Sequence, residues 1–158
     1  SDYHFFDYTF EALNLFKNYT KKFVIVTNQS GLSTGKIDLK NLEEIHNHIY
    51  KEFEKRHLPL KKIYFSDNYE EGYNSMRKPG IGMFKKASEE FQINLSNSLM
   101  IGDSIVDAEV GKRLNMKTIF LLTGMGNDYI TQVKSTCNVD LVSKNLLEAA
   151  KDIKLILE

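Results

Sequence analysis

The chain is poor in several things that would otherwise explain it. It has one cysteine, Cys137, among 158 residues, so no intrachain disulfide can form and no cysteine-based zinc cluster can be built. With two prolines, nine glycines and no biased stretch, it offers no linker and no low-complexity segment. It also lacks net charge, since 21 Lys and Arg balance 21 Asp and Glu, with no basic arm or acidic tail. That removes the electrostatic case for extended nucleic-acid binding or for a membrane surface. No apolar run approaches the roughly 20 residues of a membrane helix, and no signal-peptide pattern is visible. Together with the cysteine usage, this predicts a cytoplasmic protein.

What is present reads as ordinary globular sequence. Hydrophobic residues make up 42% of the chain and charged ones 27%, enough for one domain over 1–158 with a core between layers. Phe10, Leu13 and Phe16 recur at helical spacing and predict a helix over 8–19. Phe23-Val24-Ile25-Val26 predicts a strand buried on both faces, as parallel sheets require. Asp38 predicts the cap of a helix over 39–56, with Leu42, Ile45, Ile49 and Phe53 as its apolar stripe. Lys62 to Phe65 reads as a strand, Ser66 to Lys78 as a long polar loop of the functional kind, and Pro79 as the opening residue of the next helix. Further strands are predicted at 98–101, 117–122 and 139–142, with helices over 105–114, near 129–134 and from Lys144. This alternation implies right-handed βαβ units. The expected fold is α/β, a Rossmann-like three-layer sandwich with a mostly parallel sheet and no large cap domain.

Three polar sites punctuate that pattern. Thr27-Asn28 ends the first strand, Arg77-Lys78-Pro79 precedes a helix, and Met100-Ile101-Gly102 runs into Asp103 and Asp107. Open α/β sheets bind ligands outside the carboxyl ends of their strands, so these sites can converge on one crevice. Asp103 and Asp107 suit a hard cation such as Mg²⁺, which takes one or two carboxylates together with phosphate and water. A hydroxyl from Thr27, an ammonium from Lys78 and this carboxylate pair make a set for phosphoryl transfer, where catalysis is mostly positioning and charge neutralisation. Blander readings compete. Acids favour helix starts, Thr-Asn favours turns, and Lys78 could be a surface lysine; the occurrence of all three sites in order outweighs them. Arg77 suits a bidentate phosphate contact and a solvated surface equally well. His46 and His48, two apart on a helix, point to different faces. Gly124 and Gly126 read as a simple turn, and Cys137 as a small packing residue.

In these motifs the chain resembles the haloacid dehalogenase superfamily of phosphohydrolases. Val24-Ile25-Val26-Thr27 matches the strand ending in Ser or Thr of that family's second motif. Lys78 matches the lysine of its third, and Gly102, Asp103 and Asp107 match the Gly-Asp-x-x-x-Asp of its fourth. The spellings Val26-Thr27-Asn28-Gln29-Ser30-Gly31 and Arg77-Lys78-Pro79 resemble the branch holding heptose bisphosphate, histidinol-phosphate and polynucleotide 3′-phosphatases, the first of these most of all. The resemblance implies a two-step hydrolysis. An aspartate attacks phosphorus and expels the ester oxygen, which a second acid protonates; water then cleaves the aspartyl phosphate. It implies that Thr27, Asn28, Arg77 and Lys78 contact the substrate, that Thr27, Lys78 and Asp107 serve catalysis, and that Asp103 and Asp107 hold Mg²⁺. The implied substrate is a small sugar phosphate such as D-glycero-D-manno-heptose 1,7-bisphosphate.

Two departures shape the expectation. The family's first motif, Asp-x-Asp-x-Thr after an N-terminal strand, is absent. Asp7 lacks a second aspartate two residues on and stands directly before the first helix, so it is not read as the nucleophile. The expectation is a chain missing its first strand and catalytic loop, which lie upstream of Ser1, so that these residues alone do not turn over. The loop from Ser66 to Met76 contains neither Cys nor His, so no zinc is expected there and the substrate stays open. Alternatives are a histidinol-phosphate or polynucleotide 3′-phosphatase, or a non-catalytic phosphate-binding or interaction module. A receiver domain is disfavoured because its acidic residues precede its Thr and Lys, whereas here the order is Thr27, Lys78, Asp103.

Overall fold

In the computed structural model, which describes residues 8–29, 32, 34–36 and 38–157, strands and helices alternate along the chain. In order they are α1 (Thr9–Phe16), β1 (Phe23–Asn28), α2 (Leu39–Lys55), β2 (Leu60–Ser66), α3 (Gly82–Phe91), β3 (Leu99–Gly102), α4 (Ile105–Arg113), β4 (Lys117–Leu121), α5 (Gly126–Thr136), β5 (Leu141–Ser143) and α6 (Leu146–Asp152). Asp7, Ser30 and Gly31 lie outside the described residues. No helix among the described residues is long and apolar enough to cross a membrane.

All strand pairs are parallel. β1 pairs with β2, bringing Thr27 opposite Phe65 and Asn28 opposite Ser66. β3 pairs with β4, and β4 with β5. Period-two alternation then sorts the side chains onto two helical layers. On β4, Ile119 and Leu121 point into a cluster with Ala12 and Phe16 of α1 and Ala149 and Ala150 of α6. Phe120, between them, packs with Ala108, Val133 and Cys137 under α4 and α5. On β2, Ile63 meets Ile49 and Phe53 of α2, while Tyr64 meets Met83 and Ala87 of α3. The architecture is the expected α/β, Rossmann-like arrangement, with α1, α2 and α6 on one face and α3, α4 and α5 on the other. Cys137 is buried in the core.

Three expectations need correction. The hydrogen-bonded strands fall into two sheets, β1-β2 and β3-β4-β5, with no ladder between β1 and β3 among the described residues. β1 does pack on both faces, Phe23 and Ile25 toward α2 and Val24 and Val26 toward α3, but all six of its residues are only half-buried, and one of its edges has no ladder partner among the described residues. The two sheets still touch through side chains. Val26 packs against the cluster of Phe84, Met100 and Val110, and Phe23 against that containing Leu99, Ile101 and Ile119. Pro79 does not open α3, which begins at Gly82. It lies instead in a turn closed by Gly80 N–H donating to Arg77 O at 2.7 Å, where a Cβ at position 80 would overlap Ser75. Finally α5 is a full helix from Gly126, longer than the short one predicted; Gly126 permits this because any Cβ there would overlap the Leu121 carbonyl.

Gly111 of α4 shows the same economy in the core. A Cβ there would overlap Oγ1 of Thr118, which is 2% exposed on β4. Alanine favours a helix by about 1 kcal/mol over glycine, but overpacking a filled core costs roughly 1–3 kcal/mol. Thr118 is fixed by its strand, so overpacking wins. Gly111→Ala should lower stability by about 1 kcal/mol in denaturant titration; a gain in stability would contradict this packing.

Candidate active site

The carboxyl ends of β1 and β3 bring the three polar sites to one edge. β1 ends at Thr27 and Asn28, whose position in the ladder is fixed by pairing with β2. The side-chain amide of Asn28 grips Lys78 from both sides: Nδ2 donates to Lys78 O at 3.1 Å and Lys78 N–H donates to Oδ1 at 2.9 Å. This is a ladder rung made by a side chain, and it draws the returning end of the β2–α3 loop onto β1. Both ends of the Asn28 amide are committed to holding Lys78.

From that anchor the Lys78 side chain runs inward. Its ammonium donates to Val26 O at 2.9 Å and to Asp107 Oδ1 at 2.7 Å. Lys78 and Asp107 are each 8% exposed, so the ion pair is buried. Asp107 belongs to the first turn of α4, where an acid complements the helix dipole. Its other oxygen accepts from Ser104 N–H at 3.3 Å. Gly102 makes that fold-back possible, because a Cβ there would overlap the Asp107 carboxylate. One lysine thus ties β1 to α4 across the gap between the two sheets.

Asp103, the first residue after β3, differs from Asp107. Burial pushes its carboxyl above the usual aspartate range, and the neighbouring Asp107 charge adds to that; the Lys78 ammonium offsets part of it. Gly124, in the turn after β4, stands directly against it, since a Cβ there would overlap Asp103 Oδ2. Its φ of +55° suits the expected turn, but the turn also keeps space open beside the carboxylate. That second role has no local signature, because Gly124 and Asp103 meet only in the folded sheet.

Thr27 is half-buried at the same edge, its hydroxyl accepting from Gln29 Nε2 at 3.3 Å. Arg77 is engaged elsewhere. Its guanidinium lies 4.7 Å from the centroid of the Tyr69 ring, and Nη1 donates to Asn68 O at 3.4 Å. The structure therefore joins Thr27, Asn28, Lys78, Asp103 and Asp107, and places Arg77 in the loop wall. His46 packs its ring 5.4 Å from that of Phe65. No group of three or more His, Cys, Asp or Glu among the described residues could hold a metal ion by itself.

The raised Asp103 value carries a signed consequence. A carboxyl whose folded-state value lies above its unfolded one favours folding at low pH, and that favour is lost as pH rises through the folded value. In metal-free protein at neutral pH, Asp103→Asn should therefore melt higher than the native chain. The difference should vanish below the ordinary aspartate value of about pH 4. Thermal melts in chelator across that range measure it; a variant melting lower at neutral pH would contradict the assignment.

Comparison with known proteins places this edge in a family. Residues 75–149 match the HAD-hydrolase-like family model. The chain is 32% identical over 121 residues to the D-glycero-alpha-D-manno-heptose-1,7-bisphosphate 7-phosphatase of Campylobacter jejuni, over 77% of this chain and 69% of that protein. It is 33% identical over 122 residues to the D-glycero-beta-D-manno-heptose-1,7-bisphosphate 7-phosphatase of Helicobacter pylori, over 77% and 70%. The crystal structure of D,D-heptose 1,7-bisphosphate phosphatase from B. bronchiseptica, complexed with magnesium and phosphate, has the same fold, with a TM-score of 0.81 over 96% of this chain and 84% of that one at 20% identity. Sequence likeness of that extent, with Thr27, Lys78, Asp103 and Asp107 gathered at one sheet edge, means that the chain belongs to the haloacid dehalogenase-like hydrolases and is a phosphatase of that family.

Proposed function

We propose that the chain forms the greater part of a Mg²⁺-dependent phosphatase that hydrolyses a small sugar phosphate, a heptose 1,7-bisphosphate before others. The observation that carries the reading is the Lys78–Asp107 pair set beside the crowded carboxylate of Asp103. The relatives named for heptose bisphosphate support the substrate. Histidinol phosphate is the rival, since the chain is also 30% identical over 107 residues to a bifunctional histidine-biosynthesis protein of Spirosoma linguale, over 28% of that protein's length.

Each residue then has a part. Asp103 and Asp107 offer only carboxylate oxygens, the donor chemistry a hard cation prefers, and Gly124 keeps the space beside Asp103 clear. Mg²⁺ held there would withdraw charge from the phosphoryl oxygens. The Lys78 ammonium has three N–H donors; two serve Val26 O and Asp107, leaving the third for a phosphoryl oxygen. The Thr27 hydroxyl, which accepts from Gln29 and has only a long 3.5 Å bond to Asn28 O for its proton, turns that proton to another. Asn28 acts through Lys78 as a positioning residue.

The attacking aspartate belongs to a segment outside the described residues. β1 and β3 are neighbours by packing but share no ladder, and we place a parallel strand between them. That strand, ending in Asp-x-Asp, delivers its carboxylates to the edge where Lys78 and Asp103 meet. Its aspartate attacks phosphorus, the ester oxygen leaves with a proton from the second aspartic acid, and water then releases inorganic phosphate.

The test is phosphate release by the full-length protein from heptose 1,7-bisphosphate, histidinol phosphate and a 3′-phosphorylated oligonucleotide, with and without Mg²⁺. Turnover should be fastest on the heptose substrate and require Mg²⁺, and Asp103→Asn should reduce it roughly 100-fold or more. Absence of turnover on every phosphomonoester would refute the enzyme and favour a phosphate-binding module.

A further inference from the structure

Lys78 is held through its backbone by Asn28 and through its ammonium by Asp107. A third hold comes from Arg113, the last residue of α4. Its Nη1 donates to the carbonyl oxygen of Pro79 at 2.6 Å, across 34 positions of sequence. That oxygen is free to accept, because the turn from Arg77 to Gly80 is closed through Arg77 O. α4 therefore meets this short stretch twice. Asp107 in its first turn takes the Lys78 ammonium, and Arg113, about 9 Å further along the axis, takes the next carbonyl.

The choice of partner is informative. Glu109 lies one turn before Arg113 on α4, at the i, i+4 spacing and in the order that favours pairing on a helix surface. Among the described residues, however, no carboxylate forms an ion pair with Arg113. Its guanidinium goes to the Pro79 carbonyl instead, and lies 5.6 Å from the centroid of the Tyr73 ring. Lys112 beside it gives the contrast. It too places an exposed cation on a backbone carbonyl, but that is Thr136 O, 2.9 Å away at the last residue of α5. Both cations complement the helix dipole. Only Arg113 reaches the segment that carries Lys78.

We infer that Arg113 is a positioning residue of the phosphatase: by holding Pro79 O it fixes the backbone of Lys78, and with it the place of the ammonium at the phosphoryl group. The inference rests on the phosphatase reading and deepens it. The two Asn28 bonds meet Lys78 at its own N–H and C=O, and two points leave rotation about the line between them. The bonds to Asp107 and Val26 O sit at the end of a flexible four-carbon stem, which takes up such a rotation. A third fixed point on the neighbouring carbonyl stops it. Misplacing a reacting group by about 1 Å costs up to roughly 100-fold in rate, so a small rotation matters to the chemistry. It matters little to folding, because Arg113 is exposed and an exposed hydrogen bond adds little net stability.

The experiment measures kcat, KM and melting temperature of the full-length protein, with heptose 1,7-bisphosphate and Mg²⁺, for Arg113→Ala, Arg113→Lys and Lys112→Ala. Arg113→Ala should lower kcat roughly tenfold, keep KM within about twofold and melt close to the native protein. Arg113→Lys retains a donor for Pro79 O and should recover most of that loss. Lys112→Ala should leave kcat unchanged. Native kcat in Arg113→Ala, an equal loss in Lys112→Ala, or a lysine variant no better than alanine would overturn the inference. So would a raised KM with kcat unchanged, which would make Arg113 a substrate contact in the cleft it borders. A second readout needs no turnover: the Cε resonance of Lys78 in metal-free protein carrying labelled lysine. It should move in Arg113→Ala and stay in Lys112→Ala; an unmoved resonance in Arg113→Ala overturns the inference. Should the native protein hydrolyse no phosphomonoester, the phosphatase reading fails, and the resonance still decides whether Arg113 places Lys78.

Discussion

The buried ion pair between Lys78 and Asp107 is the contact on which the rest of the arrangement depends. No backbone ladder joins β1 to β3 among the described residues; the lysine does that work at the carboxyl edge. Its ammonium holds Val26 O of β1 and the first turn of α4 at once. Its backbone is held in turn by Asn28. Desolvating two charges costs several kcal/mol each, so such a pair adds little net stability over an apolar pair of the same shape. What it adds is geometry, because either charge left alone in that place is strongly unfavourable. The pair therefore locks one arrangement of three segments far apart in the chain.

The same locking explains why Asp103 stands ready for a cation. Asp107 has both oxygens occupied, one by Lys78 and one by Ser104 N–H. Asp103 is left with a carboxylate pushed toward protonation by burial and by its neighbour. Gly102 and Gly124 are the quiet parts of this design: one lets Asp107 fold back, the other leaves room beside Asp103. Membership in the haloacid dehalogenase-like hydrolases and the local electrostatics thus point the same way. An edge that concentrates negative charge around one lysine is suited to a metal and a phosphoryl group arriving together.

Much of this was legible in the residues because the signals are local. The run Phe23 to Val26 ending in Thr27, the Asp38 cap, and the Gly102-Asp103 spacing to Asp107 are each contained within a helix turn or a strand, where period and capping chemistry write themselves into sequence. What escaped depends on residues distant in sequence. Asn28 as the holder of Lys78, fifty positions away, leaves no periodicity, and its amide reads equally well as a substrate contact. The placing of Arg77 over Tyr69 likewise depends on how the loop folds, which no local pattern announces. Pro79 carries the right chemistry for a helix start, but Gly80 and Gly82 draw the chain close against Ser75 first, so the helix begins later. The apolar content of β1 likewise says that the strand is internal, not which of its edges is paired.

The central claim is that Lys78 and Asp107 act as one unit, and a double-mutant cycle in stability measures that directly. Lys78→Met and Asp107→Asn keep side-chain size while removing charge, and denaturant titration of the native chain, both single variants and the double variant gives the coupling. Each single change should cost about 3 kcal/mol and the double variant no more than either single one, for a coupling of about 3 kcal/mol. Costs that simply add, within a few tenths of a kcal/mol, would contradict it.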